Sequence, residues 1–182
     1  MIRRFILTLA LCAASFGALA QSLTTAQLQT LKADIVAQTD PTFVVYRTNG
    51  QTDLMAGWYN GSSTFVVYKS SVPMADVGKV INYDAVGALT TANTSRIQTF
   101  QQLNQMSFRP SADVRSFWDA TFSGALNGQG QATRDALTAL WKRFATRCEK
   151  LYSTGAGTDA SPGALVFEGS INGSTISAAL SQ

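Results

Sequence analysis

Gln131-Ala132-Thr133-Arg134-Asp135-Ala136-Leu137-Thr138-Ala139-Leu140-Trp141-Lys142-Arg143-Phe144-Ala145-Thr146-Arg147-Cys148-Glu149-Lys150-Leu151-Tyr152 is the longest amphipathic pattern in the chain. Leu137, Leu140, Trp141, Phe144, Cys148 and Leu151 fall within roughly a 100° arc when residues are set about 100° apart. The stretch therefore predicts one long helix whose apolar stripe organises the body. On that reading Phe144→Ala costs about 3–5 kcal/mol, and Arg143→Ala, on the polar flank, costs well under about 1 kcal/mol. Cys148 lies on the apolar face and reads as a buried structural thiol, since a reactive one needs exposure and a positive setting. Arg143, Arg147 and Lys150 stand at i, i+4 and i+7 and form a basic flank, with Lys142 further round. Cations there offset the dipole at a helix C-terminus and pair with carboxylates. The same flank is the candidate surface for contact with a partner.

Upstream, the pattern stays helical. Thr24 with Gln27 at N3 makes a capping box, and Leu23 and Leu28 are placed as a hydrophobic staple. Leu28, Leu31 and Ile35 follow on one face. Asp40-Pro41 is a second helix start, with a capping carboxylate and proline at the first helical position. Thr42-Phe43-Val44-Val45-Tyr46-Arg47 recurs as Thr64-Phe65-Val66-Val67-Tyr68-Lys69. Both copies are β-prone, but the first follows a helix start and reads as a short helix. The second follows Asn60-Gly61-Ser62-Ser63 and reads as a strand. Between them, Leu54 to Tyr59 is a short apolar segment with Trp58. Residues 70–94 read as loop with short pieces of structure. A helix is expected over about Ser95 to Gln105 with Ile97, Phe100 and Leu103 inward. Another is expected from Ser111-Ala112-Asp113, stopping at Gly124. Ser153 to Gly163 is a loop, Leu165-Val166-Phe167-Glu168 a strand candidate, and the tail beyond Ser174 is ambiguous. The fold class expected is mainly α with a minor β element (α+β), a long amphipathic C-terminal helix packed on shorter helices.

The N-terminus reads as an address. Arg3 and Arg4 precede the apolar run Phe5 to Leu11, and Ala18-x-Ala20 supplies the small residues a signal peptidase accepts. Residues 1–20 are thus a signal peptide, and 21–182 a single mainly helical domain. The run is too short to span a bilayer, so no membrane association is expected after cleavage, and the product is periplasmic or secreted. Cys12 sits inside the apolar run, where no lipobox is formed. Arg3 and Arg4 leave with the leader, so 12 of the 14 basic residues face all 11 acidic ones and the net charge falls from +3 to +1. That balance is not the footprint of a dedicated nucleic-acid binder.

The chain has no histidine, which removes the commonest general base and metal ligand. Cys148 is the one cysteine after cleavage, so neither an intrachain disulfide nor a thiolate zinc site can form. No Asp-x-Asp-x-Asp-Gly loop is present for calcium. Asp113 and Asp119, six residues apart, do not converge on a helix, and Asp113 reads as a cap or dipole partner. Thr154-Gly155-Ala156-Gly157-Thr158-Asp159 lacks a following Gly-Lys-Ser/Thr and follows a helix, so Gly155 reads as the residue that ends that helix and not as part of a phosphate cradle. Trp58, Trp118 and Trp141 read as core. No Ser-x-x-Lys or Gly-x-Ser-x-Gly nucleophile is present. An enzyme, an exported hydrolase included, is disfavoured, and no catalytic residue, cofactor or metal is implied.

The C-terminal half also resembles a family. The run from Arg109-Pro110-Ser111 through Trp141-Lys142-Arg143, Ala145 to Tyr152, Thr154-Gly155-Ala156-Gly157-Thr158 and Ala160-Ser161-Pro162 to Phe167-Glu168-Gly169 is similar to small uncharacterised proteins of tailed phages and prophages. These are encoded among the virion-structure genes. Met55 to Asn60, Phe65 to Pro73 and the opening Leu23-Thr24 are similar too, so the likeness covers about Leu23 to Gln182. It implies a setting in phage morphogenesis, with no activity or catalytic residue to carry over. Cys148 stands where a small residue such as Ala is usual. The leader lies outside the likeness, and virion parts need no export signal. Either a phage-type domain carries a real signal, which the ordered Arg-Arg, apolar core and Ala-x-Ala favour, or the start is set too far upstream and the product is cytoplasmic or virion-borne. The resemblance implies a non-enzymatic structural or assembly protein acting through other proteins, either virion or envelope components or further copies of itself. The alternative is an exported envelope binding protein derived from a phage domain.

Overall fold

The computed structural model describes residues 22–182, so the leader lies outside the described residues. Thr24 caps α1 (Thr25–Ala37) with the full capping box to Gln27, and Leu31 and Ile35 are buried. Asp40 caps α2 (Pro41–Thr48) by accepting from the Phe43 amide, and α3 (Thr52–Asn60) follows. The two copies of the repeated hexapeptide take different structures, as their flanks predict. The first lies in α2, the second in strand β1 (Ser62–Tyr68). Local start signals outrank β propensity here.

The expected loop over 70–94 holds β2 (Val72–Pro73), α4 (Met74–Val80) and α5 (Tyr83–Gly87), and α6 follows at Thr91–Leu103. Ile97 is buried, but Leu103 is 79% exposed. The helix begins at the Thr90 cap, and Leu103 ends up on the outside of its last turn. Strand β3 (Ser107–Phe108) pairs with β2. Helix α7 (Ala112–Thr121) is capped by Ser111, and a short 3₁₀ turn (Leu126–Gly128) leads to α8 (Gly130–Leu140).

The long C-terminal helix is not there. Strand β4 (Lys142–Thr146) interrupts it, followed by a short helix α9 (Arg147–Leu151). Tyr68, Val67 and Val66 of β1 sit opposite Lys142, Arg143 and Phe144 in an antiparallel ladder. Thr146 then opens a new helix through a second capping box with Glu149. That Thr-x-x-Glu signal was present in the sequence, and the continuous stripe masked it. With the helix replaced by a strand, side chains alternate across the sheet. Ala145 is fully buried and Phe144 is 60% exposed. The expected Phe144 anchor is therefore a surface residue, and its substitution by Ala should be nearly neutral. The strand candidate over 165–168 is not a strand either. Pairing stops at Gly163 and Ala164, after which Phe167 turns into the core and Val166 faces outward. The ambiguous tail is α10 (Gly173–Leu180), capped by Asn172.

The architecture is helix-rich with two small antiparallel sheets. Two apolar clusters form. In the first, Leu31, Ile35, Phe43, Tyr59, Cys148 and Ile176 bring together α1, α2, α3, α9 and α10. In the second, Val72, Val77, Ile97, Trp118, Leu137 and Trp141 gather the elements between β1 and β4. The β1–β4 ladder is where the chain leaves the first cluster and where it returns. The glycine-rich loop has a steric purpose. A Cβ at Gly157 or at Gly163 would collide with the ring of Phe65, and Gly157 also has φ +63°. Gly155 has a positive φ as well, but it lies beyond the end of α9 and does not terminate it.

Candidate functional site

The four cations expected on one helix flank are divided between two elements. Lys142 and Arg143 belong to β4, Arg147 and Lys150 to α9. Lys142 Nζ donates to the Asp159 carbonyl at 2.7 Å and contacts its carboxylate at 3.1 Å. Arg143 is no free flank residue. Its guanidinium donates to both Glu149 oxygens at 2.7 and 2.8 Å and to Glu168 Oε1 at 2.9 Å. Glu149 is 3% exposed and also accepts from the Thr146 and Gly169 amides. Burial alone would raise its carboxyl pKa. The Arg143 and backbone hydrogen bonds, with the Arg143 charge, hold it below the ordinary carboxylate range instead. Ser70 Oγ donates to Glu168, so one cluster ties β4, α9, the segment after Phe167 and the exit of β1. This is structural chemistry, built on a fork that matches a carboxylate.

Arg147 and Lys150 do share a site. They line an open cleft of about 670 Å³ with Asp34, Trp58, Ser63 and Thr64 among its walls. The Arg147 guanidinium lies 4.4 Å from the centre of the Trp58 ring and donates to the Trp58 carbonyl at 2.9 Å. Its backbone amide bonds the Gly61 carbonyl at 2.9 Å. A side chain at Gly61 would occupy the guanidinium's place. Lys150 is exposed and makes no ion pair among the described residues. Opposite, Asp34 accepts from Tyr59 Oη at 2.6 Å and from Gln38 at 3.2 Å. Burial, then the Asp34 hydrogen bond, pushes the Tyr59 phenol up, so it stays a neutral donor. The cleft thus offers a cation stacked on indole, a free ammonium and several hydroxyls, all suited to polar or anionic groups on a partner.

Of the three tryptophans read as core, Trp118 and Trp141 are buried. Trp58 is half-buried against the first cluster and lines the cleft with the Arg147 guanidinium over its ring. Sequence reasoning missed Trp58 and Asp34. The contact between Trp58 and Arg147 spans 89 positions, and no local signal announces it.

Cys148 is fully buried, and burial followed by the nearby Glu149 charge pushes its thiol up to about 12. Native protein should therefore resist thiol reagents at pH 8 and react stoichiometrically once denatured. Labelling of the folded protein within minutes would contradict the buried placement. Among the described residues no three His, Cys, Asp or Glu side chains come together to hold a metal ion, and no helix is long and apolar enough to cross a membrane. No family model, no curated protein and no solved structure matches the chain.

Proposed function

We propose that this protein is a non-enzymatic structural or assembly component of the phage or prophage type, working through protein–protein contacts centred on the α9 cleft. The observation that carries this reading is the pairing of Arg147 with the Trp58 face beside the free Lys150. Trp and Arg dominate the energetic centres of protein interfaces, and here both are pre-positioned, which lowers the ordering cost of binding. The resemblance of residues 23–182 to proteins encoded among virion genes supports the same setting. A second reading is favoured by the leader. Arg3-Arg4, the apolar run and Ala18-x-Ala20 point to an exported envelope binding protein built on the same domain.

The test is to tag the protein at its own locus and fractionate induced cells. The chain should co-purify with intact particles. Lys150→Glu should cut that recovery about tenfold with the melting temperature unchanged. Particles free of the chain, or equal recovery of the variant, would overturn the assembly reading at this cleft. Periplasmic protein beginning at Gln21 would support the exported reading instead. An intact Met1 on soluble cytoplasmic protein would exclude it.

A further inference from the structure

A second cleft, sharing no residue with the first, opens between the end of β1, the start of α7 and residues 162–168, with a volume of about 600 Å³. Lys69, Arg109 and Arg115 line it. None of the three pairs with a carboxylate among the described residues, whereas Lys79, Arg134, Lys142 and Arg143 all do. The one carboxylate in the lining, Glu168, is already engaged by Arg143 and Ser70. Asp113, in the first turn of α7, is not part of the lining. Arg115 is held in place without being neutralised. Its guanidinium lies 3.7 Å from the centre of the Tyr68 ring and donates to the Pro110 carbonyl at 2.6 Å. Three cations of like sign facing one concavity repel one another and concentrate positive potential there. An anionic occupant relieves both effects.

The opposite wall indicates what kind of anion. Pairing of this segment ends at Ala164. The next amides, of Leu165, Val166 and Phe167, make no hydrogen bond within the described residues, and Val166 is 59% exposed. Unpaired backbone donors beside an exposed apolar side chain suit an extended polypeptide, which brings its own carbonyls and alternate side chains. A nucleic acid is the poorer fit. Of the two aromatic side chains in the lining, Phe167 is buried and Tyr68 carries the Arg115 guanidinium over one face of its ring, which leaves little platform on which a base could stack.

We propose that this cleft binds an extended acidic segment of a partner protein, its carboxylates against Lys69, Arg109 and Arg115 and its backbone along residues 165–167. The site stands independently of the α9 cleft. The probe is a fluorescein-labelled nonapeptide of alternating Glu and Val, titrated into the protein as purified from its host at low salt. Amide resonances of Leu165, Val166 and Phe167 should shift on binding. The double variant Lys69→Glu, Arg109→Glu should weaken binding about tenfold or more, Val166→Asp should weaken it independently, and Lys150→Glu should leave it unchanged. Binding should also fall as salt is raised toward about 0.15 M, where the screening length is near 8 Å. The proposal is overturned by any of four results: no binding of the peptide at low salt, equal binding of the alternating Lys and Val peptide, binding lost through Lys150→Glu but not through the double variant, or tighter binding of single-stranded oligothymidine at the same residues. The last would reassign the cleft to nucleic acid.

Discussion

Arg143→Ala is expected to destabilise the protein by about 3–5 kcal/mol, the cost of stranding a buried charge. Glu149 is 3% exposed and receives both of its charge-assisted side-chain bonds from Arg143. Without that guanidinium the two amides of Thr146 and Gly169 remain, and no cation replaces it. Glu168 also loses its bond from Arg143 and keeps only the one from Ser70. For a chain of this size the melting temperature should drop by roughly 6–20 °C. Phe144→Ala, one residue away and 60% exposed, should cost below about 1 kcal/mol. That order reverses the one the helical stripe implies. Acid separates charge from packing. Glu149 is held below the ordinary carboxylate range in the folded protein. Its stabilisation is therefore complete above that range and is lost as pH falls through the lowered value. In Arg143→Ala burial acts on Glu149 without the counter-charge and raises its carboxyl. The gap between wild type and variant should accordingly narrow on acidification. The double variant Arg143→Met, Glu149→Leu should recover most of the loss at neutral pH, because an apolar pair leaves no buried charge. Equal and small losses from Arg143→Ala and Phe144→Ala in chemical denaturation would show that the ion cluster is not a structural tie.

The elements that could be read from sequence share one property. Their decisive signals are local. Thr24 with Gln27, Asp40 with Pro41, and Ser111 before Ala112 each lie within a single turn of the helix they start, and each cap is formed. The same holds for the two hexapeptides, whose flanking residues separate helix from strand. What failed was a choice between two periodicities over residues 141–151. Apolar residues there satisfy a helical arc, yet Tyr68, Val67 and Val66 lie some 70 to 80 positions earlier and supply a ladder that the helix cannot match. The Thr146–Glu149 capping box marked the true restart, and a stripe that runs through a capping box should be broken there. The candidate sites were legible to a lesser degree. Of the four cations expected on one helix flank, Arg147 and Lys150 do line one cleft, but from a short helix that follows a strand. Trp58, Arg109 and Arg115 enter their clefts only through tertiary packing, which no spacing rule encodes. The reason for Gly157 and Gly163, room for the Phe65 ring, likewise lies across the fold.

Trp118→Ala should cost about 3–5 kcal/mol, as large aromatic truncations in packed cores do. Trp118 is 1% exposed and the largest fully buried side chain. Its ring stacks on Phe122 at 6.0 Å and meets Phe100 and Phe117 edge-on at 5.4 and 5.5 Å. These neighbouring rings are too large to rearrange into the space left behind, so the cavity should stay open. The more informative question is how far the damage travels. Trp118 belongs to the second apolar cluster, whereas Trp58 packs on the first. Trp141 is buried in the second cluster, and its carbonyl accepts from the Lys69 amide at the end of β1. The clusters are joined by the β1–β4 ladder and by the Arg143, Glu149, Glu168 and Ser70 contacts. If these joints couple the clusters, the loss at Trp118 lowers one shared transition, and a probe of the first cluster, such as exposure of the Cys148 thiol, moves with it. Cys148 labelling during urea unfolding of Trp118→Ala should therefore coincide with the change in tryptophan fluorescence. If Cys148 stays protected to the wild-type midpoint while fluorescence changes early, the two clusters unfold separately. The ladder would then be a tether between independent cores, not the joint that makes them one cooperative unit.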